Sequence, residues 1–354
     1  MVTASHNPAK YNGMKFCGKG AVPIGSDSGL KEIEKRVWEL VEKRSSLGDS
    51  SGKRKAIPKK ILGDYVKHVL SFAQDIKPMS LVMDSGNGMT GKFLPAILKK
   101  LPLKVKRMYF KPDGTFPHHE ADPLKDENLR DLQAEVLKHK AGLGIAFDGD
   151  GDRVAFVDER GQRVPNDLIS ALIAREVLAK TKAPIVYDLR SSWVVKEEIL
   201  KWGGTPIESR VGHSFIKALM HKHNAVFGGE VSGHYYFKDN YFADSADIAW
   251  INILNLLSKE NRPFSQVVAP LRRYYASGEI NFHVRDKDAV LRRLKAKYND
   301  GQISEKDGVS VHYKDWWFNV RPSNTEPVLR FNLEAKSQET MVQRKTELQR
   351  LLAE

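Results

Sequence analysis

Asp148-Gly149-Asp150-Gly151-Asp152-Arg153 sets three carboxylates at alternate positions with only glycine between them. Leu143-Gly-Ile-Ala-Phe147 precedes the run and Val154-Ala-Phe-Val157 follows it. Both flanks are short and apolar, so they read as buried strands joined by an acidic loop. Glycine lets the backbone bend until all three carboxylates turn toward one point. Like charges held that close are costly unless a cation lies among them. The run therefore predicts a hard divalent ion, Mg²⁺, on Asp148, Asp150 and Asp152, with open positions for a phosphate. A solvated acidic turn fits poorly between two apolar strands. A calcium-binding EF-hand accounts for Asp148, Asp150, Asp152 and Glu159. It fails at its glycine position, which is Arg153 here, and in its flanks, which must be helices.

Working outward, strands alternate with helices on both sides of this loop. Upstream, a helix is expected over Gly29–Arg44, with Leu30, Ile33, Val37, Leu40 and Val41 on one face and Asp27 or Ser28 as its cap. A polar linker, Arg44–Lys60, follows. Next come a helix near Asp64–Ile76, a strand Leu81–Met83, a strand Lys104–Phe110 and a helix Asn128–Lys140 with Leu129, Leu132, Val136 and Leu137 inward. Gly86, Gly88 and Gly91 match the spacing of a dinucleotide fingerprint, but the acid it requires downstream is absent; a tight turn for helix–sheet packing is the better reading. Downstream of the acidic loop, helices Asp167–Leu178 and Ser192–Trp202 alternate with strands Pro184–Asp188, Thr205–Glu208 and Ala225–Phe227. Gly203-Gly204 suits a helix C-cap. This alternation implies doubly wound, mostly parallel sheets, whose sites form in loops beyond the carboxyl ends of the strands. After Ala269–Tyr275 the pattern changes to a smaller α+β unit. It comprises strand Glu279–Val284, helix Lys287–Tyr298, strands Gly308–Tyr313, Trp316–Val320 and Val328–Ala335, and a closing helix Thr340–Leu352.

At 354 residues the chain is long enough for several cores. No apolar run reaches membrane-spanning length, and the single cysteine, Cys17, excludes an internal disulfide and suits a reducing cytoplasm. The formal net charge of +13 favours acidic partners, either nucleic acid or phosphorylated small molecules. No aromatic–basic interleaving of an RNA-binding strand is visible, so phosphorylated small molecules are the expected partner, with a nucleic-acid-binding protein kept as the alternative of another class.

Three further loops carry chemistry. Ser5 stands beside His6 in the Asn7-Pro8 turn, an adjacency that by itself says little about nucleophilic catalysis. Glu230, Ser232 and His234 alternate after a strand and, if extended, face one side with acceptors and a donor suited to sugar hydroxyls. Arg321, Ser323, Asn324 and Thr325 offer a guanidinium fork, two hydroxyls and backbone N–H groups, which is what a phosphate dianion needs.

Taken in order, Thr3-Ala-Ser-His-Asn-Pro8, the acidic run, Gly229-Glu-Val-Ser-Gly-His234 and Arg321-Pro-Ser-Asn-Thr-Glu-Pro327 resemble the four signature loops of the α-D-phosphohexomutase superfamily, nearest its phosphomannomutase/phosphoglucomutase branch. The phosphoglucosamine mutases are the alternative branch. The resemblance implies three related three-layer α/β domains with mixed, mostly parallel sheets, and a C-terminal α+β domain similar to the TATA-binding-protein fold. It implies domains over residues 1–50, 51–160, 161–272 and 273–354, the first as a remnant lacking the strands that normally precede the serine loop. The chain as given is therefore expected to turn over slowly. The resemblance further implies that Ser5 is the phosphorylated serine, completing a Mg²⁺ shell with Asp148, Asp150 and Asp152. His6, Lys15 and Arg153 would assist the transfer. Arg190, His213, Glu230, Ser232, His234, Arg321, Ser323, Asn324 and Thr325 would bind the substrate. Arg190 stands where the family has a lysine, a difference in kind at a close contact. The activity implied is interconversion of hexose 6-phosphate and hexose 1-phosphate through a hexose 1,6-bisphosphate, by a cytoplasmic monomer or dimer.

Overall fold

The structure is a computed structural model and describes residues 1–43, 57–323 and 327–353. The chain forms two compact units, one of Met1–Arg163 with Tyr236–Lys259, the other of Val164–Tyr235 with the residues from Glu260 onward.

In the first unit, β1 (Met79–Asp84), β2 (Leu103–Met108), β3 (Leu143–Phe147) and β4 (Val154–Asp158) form a sheet in the order β2-β1-β3-β4. β1 runs parallel to β2 and β3, whereas β3 and β4 are antiparallel, with Phe147 opposite Val154. Every residue of β3 and β4 is buried, as their uninterrupted apolar sequences require. The acidic run is thus the turn of a hairpin, and the EF-hand alternative falls because strands flank it. Helix Arg130–His139 covers the sheet through Leu132 and Val136. Leu137, expected inward, is exposed instead: it closes the helix where Lys140 turns left-handed and the chain leaves the sheet.

Helix Lys31–Glu42 forms as its periodicity predicts, but no residue of it is buried, and Val37, Trp38 and Val41 are exposed. Of the two expected caps, Ser28 does not serve, and the Asp27 side chain lies outside the described residues. The helix starts after Leu30, and Ser28 Oγ instead accepts a hydrogen bond from Gly25 N–H at 2.7 Å. Most of the expected linker, residues 44–56, lies outside the described residues. Helix Leu62–Leu70 ends six residues before Ile76, the expected end. It docks on helix Ala246–Glu260 through Tyr65 Oη, which donates to Asp247 Oδ2 at 2.6 Å. Just beyond it, Gln74 N–H donates to Asn255 Oδ1 at 2.8 Å.

In the second unit, strands Pro184–Asp188, Thr205–Ser209 and Phe227–Gly229 are parallel, with Pro184–Asp188 in the middle. Helix Asn166–Leu178 leads into the first of them, and helices Trp193–Lys201 and His213–His223 connect the three. Ser192 caps the second of these helices by accepting from Val194 N–H at 3.2 Å, and Gly203 closes it at φ 76°. The C-terminal part of this unit is an antiparallel sheet, in which Val328–Ala335 pairs with Ile280–His283 on one side and Trp316–Pro322 on the other. A short strand, Gln302–Ser304, escaped sequence detection; its three residues, with one apolar side chain, are too few to show a period. Helices Lys287–Lys297 and Gln338–Ala353 cover this sheet over a core of Leu294, Phe318, Phe331, Leu333 and Leu348. The observed α/β domains with mixed sheets and a terminal α+β layer match the expected fold class. No helix of the described residues is long and apolar enough to cross a membrane.

Candidate active site

The first unit gathers a serine, a lysine and the three acids. Val2 and Met14 form an antiparallel bridge, and Thr3 N–H donates to Gly13 O at 3.0 Å, so residues 3–13 close into a loop with Ser5 near its tip. Ser5 has φ 55°, a left-handed conformation that a non-glycine residue adopts at a cost of about 1 kcal/mol or more. Such strain persists only where surroundings enforce it. Here Thr3 Oγ1 accepts from Ser5 N–H at 2.9 Å and donates to Asp150 Oδ2 at 2.9 Å. The serine hydroxyl lies 3.4 Å from Asp148 Oδ2 and 3.2 Å from His6 Nδ1.

The acidic loop is held from within. Asp148 is fully buried, and its Oδ1 accepts from Gly151 N–H at 3.0 Å and Arg153 N–H at 3.2 Å. Arg153 Nε stands 3.9 Å from the other oxygen of Asp148. Two glycines let neighbouring segments reach the loop. A Cβ on Gly149 would lie 2.6 Å from Ser5 O, and one on Gly151, at φ 80°, would lie 2.4 Å from Thr90 Cγ2. The Gly86–Gly91 turn also works by packing: Met89 N–H donates to Gly149 O at 2.9 Å, and a Cβ on Gly88 would meet the same oxygen at 2.7 Å. The packing reading of those glycines is the one the geometry supports.

Lys15 Nζ lies 3.0 Å from Asp150 Oδ2 and 2.5 Å from Asp152 Oδ2. Burial disfavours its charge, but Asp152 and then Asp150 more than offset this and hold the ammonium above the ordinary lysine range. Asp148, Asp150 and Asp152 each offer a carboxylate oxygen, all within 4.8 Å of one another. Asp150 Oδ1 is buried and has no hydrogen-bond partner among the described residues. An all-oxygen donor set with a buried, unsatisfied carboxylate oxygen fits a hard divalent ion.

The second unit gathers arginines and the sugar-type loop around two acids that sequence reasoning missed, Asp188 and Glu279. Asp188 ends its strand fully buried. It accepts from Arg190 at 2.7 and 3.1 Å, and from Val231 N–H at 3.0 Å, so it fixes both Arg190 and the Glu230 loop. Burial alone would raise the Asp188 carboxyl, but the Arg190 guanidinium holds it below its usual range. Glu230, Ser232 and His234 meet, though not as an extended edge. Gly233 N–H donates to Glu230 O, the chain turns with Gly233 at φ 83°, and Ser232 Oγ lies 3.1 Å from Glu230 Oε2 and 2.9 Å from His234 Nδ1. His213 does not sit in a free loop; it is the first residue of helix His213–His223, after Gly212 at φ 129°.

Arg321 lies inside strand Trp316–Pro322, opposite Arg330, and not in the loop after it. Pairing extends because the side chain is buried and its backbone must be satisfied. Its Nη2 donates to Glu279 Oε2 at 2.6 Å, and its Nη1 to Asn332 Oδ1 at 3.3 Å. Glu279 also receives Arg190 Nη1 at 3.4 Å and Arg330 Nη1 at 3.5 Å. Burial works against the Glu279 charge, yet Arg321 and Arg190 hold its carboxyl below the usual range. Ser323 N–H donates to Val328 O at 2.9 Å, while Asn324 and Thr325 lie outside the described residues.

Comparison with known proteins accords with this arrangement. Phosphoglucomutase/phosphomannomutase models match in chain order: alpha/beta/alpha domain I at residues 1–44, domain II at 63–161, domain III at 165–274 and the C-terminal domain at 279–351. A phosphomannomutase of Methanocaldococcus jannaschii is 41% identical over 360 residues, covering 100% of this chain and 78% of that protein. A phosphomannomutase of Vibrio cholerae serotype O1 is 39% identical, covering 98% of this chain and 76% of that one. The crystal structure of a phosphoglucomutase/phosphomannomutase family protein from Burkholderia thailandensis superposes with a TM-score of 0.86 at 30% identity, covering 99% of this chain and 75% of that one. The chain is an intramolecular phosphotransferase on a phosphohexomutase fold. It belongs to the phosphoglucomutase/phosphomannomutase family, within the α-D-phosphohexomutase superfamily.

Proposed function

We propose that this phosphohexomutase interconverts the 6- and 1-phosphates of mannose, glucose or both through a phosphoserine at Ser5. The observation that carries this reading is the convergence on one hydroxyl: Ser5 Oγ lies 3.4 Å from Asp148, whose neighbours Asp150 and Asp152 bind Lys15. If Ser5 carries the phosphoryl group already, it is the donor and not the attacking nucleophile in the first half of the reaction. The phosphoserine P–O bond then breaks as a sugar hydroxyl oxygen bonds to phosphorus, giving a hexose 1,6-bisphosphate and the free Ser5 hydroxyl. The sugar hydroxyl proton passes to His6, whose Nδ1 lies 3.2 Å from Ser5 Oγ, and the departing serine oxygen takes a proton in return, while the Lys15 ammonium steadies the transferring charge. The intermediate reorients, and its other phosphoryl group returns to Ser5. Positioning and charge neutralisation account for most of the catalysis in such transfers.

Mg²⁺, held by Asp148, Asp150, Asp152 and the serine phosphate, would supply charge neutralisation at the transferring oxygens. Arg153 would add a second positive group there. In the other unit, Glu230 and Ser232 would read sugar hydroxyls, with His234 orienting Ser232, and Arg190 and His213 would bind substrate. Arg321, Ser323, Asn324 and Thr325 would hold the phosphate that does not react. The domain boundaries that accompany this reading fall near residues 50, 160 and 272.

Incubation with glucose or mannose 1,6-bisphosphate tests the proposal by intact mass. One phosphoryl group should be gained, and Ser5→Ala should abolish the gain. Labelling that persists in Ser5→Ala would reject the phosphoserine assignment.

A further inference from the structure

Arg321 raises a difficulty for any phosphate that is to bind it. Its side chain is only 3% exposed, and both terminal nitrogens are engaged, one by Glu279 and the other by Asn332. Glu279 is the more accessible member of the pair, with its side chain 30% exposed. It follows Gly278, an exposed residue at φ 69°, at the start of the C-terminal sheet. The same carboxylate faces Arg190 and Arg330, so one acid collects three guanidiniums.

We infer that Glu279 is an internal competitor for the phosphate clamp: its carboxylate occupies Arg321 while no ligand is bound and yields it to the incoming phosphate. The inference rests on the reading of Arg321 as a phosphate ligand. Charge and geometry support it. Arg321 and Arg330 both reach Glu279, and Arg190 meets it as well as Asp188, so Glu279 is the acid that directly occupies Arg321. A phosphate dianion brings two charges and a bidentate acceptor edge that matches a guanidinium better than a carboxylate shared three ways. Asp188 cannot play the competing role, because it is fully buried and tied to Arg190 and Val231 N–H. Glu279 is therefore a positioning residue. It keeps the arginines apart and oriented when the site is empty, and it lowers the affinity for phosphate so that product can leave.

The test uses inorganic phosphate as the probe, titrated calorimetrically into the full chain. Glu279→Gln keeps the shape and removes the charge; it should bind phosphate roughly tenfold more tightly, about 1.4 kcal/mol. In the mutase assay its KM for hexose 1-phosphate should fall by a similar factor while kcat does not rise. Glu279→Asp retains the charge but withdraws it by one methylene, and should tighten phosphate about threefold, which keeps the test available if the Gln variant does not fold. A folded Glu279→Gln or Glu279→Asp that binds phosphate no more tightly than the parent overturns the inference, since a purely structural brace would weaken binding when cut. Arg321→Ala is the separate control. If it leaves phosphate affinity unchanged, the clamp reading itself fails, whatever the Glu279 variants do.

Discussion

Lys15→Met should tighten Mg²⁺ binding while weakening the metal-free protein. The Lys15 ammonium sits 3.0 Å from Asp150 and 2.5 Å from Asp152, where a divalent ion would draw on the same oxygens. An ion pair near 4 Å is worth about 4 kcal/mol before desolvation at an effective dielectric of about 20. The lysine side chain is 43% exposed, so screening and side-chain entropy reduce each contact to roughly 0.2–1 kcal/mol. Two contacts therefore stabilise the metal-free protein by roughly 0.4–2 kcal/mol. In the variant Asp150 and Asp152 lose their shared ammonium, and melting without metal should drop by a few degrees. The metal no longer has to displace or share with an ammonium, so its affinity should rise about tenfold, equivalent to about 1.4 kcal/mol. Calorimetric titration with Mg²⁺, and melting curves with and without saturating Mg²⁺, measure both effects. Turnover should nevertheless fall, on the order of a hundredfold, if Lys15 steadies the transferring charge at Ser5. A Lys15→Met protein that binds Mg²⁺ no more tightly than the parent, or whose melting deficit survives saturating Mg²⁺, would refute the view that lysine and metal share one seat.

Two further outcomes follow from the packing. Asp247 is buried under Tyr65 Oη and Trp250 Nε1, and burial pushes its carboxyl up to about 6 against hydrogen bonds that pull it down. A raised folded value means stability that is full below the unfolded value near 4 and is lost as pH rises through about 6, roughly 3 kcal/mol in all. Asp247→Asn should therefore flatten the melting temperature between pH 4 and 7, and an unchanged slope in that variant would count against it. Gly149→Ala would place a Cβ 2.6 Å from Ser5 O; it should cost about 1–3 kcal/mol and slow phosphoryl transfer to Ser5 in the intact-mass assay, whereas labelling at the parent rate would show that the two loops are not in contact.

Much of the fold could be read from local sequence, because its strands are unbroken apolar runs and its helices carry regular stripes. Val328–Ala335 appears with the expected ends, and β3 and β4 lie within one residue of theirs. The errors have a common physical origin. Leu137 and the apolar face of Lys31–Glu42 satisfy helical periodicity, but periodicity says which residues share a face and not whether anything covers it. Likewise, alternation at Glu230, Ser232 and His234 suggested an extended edge, and only the left-handed Gly233 reveals the turn that brings them together. In the candidate site, residues inside the signature loops were accessible to sequence reasoning. Glu279 and Asn332 were not, since each acts on Arg321 from a separate stretch of the chain; Asp188, two residues from Arg190, and Thr3, inside a signature loop, were legible in position but not in role.

Asp188 and Glu279 share a logic with Lys15. A site that binds a divalent cation and phosphate dianions must concentrate acids in one place and guanidiniums in another, and each concentration repels itself when empty. In the first unit the acids hold an ammonium; in the second the guanidiniums hold carboxylates. Such counterions lower ligand affinity by occupying the ligand's partners, but they keep those partners oriented and the unliganded fold intact. They also set a limit on design. Removing Lys15 or Glu279 should gain binding strength and lose either stability or turnover, because an enzyme that must release a phosphorylated product cannot hold it with an unopposed charge.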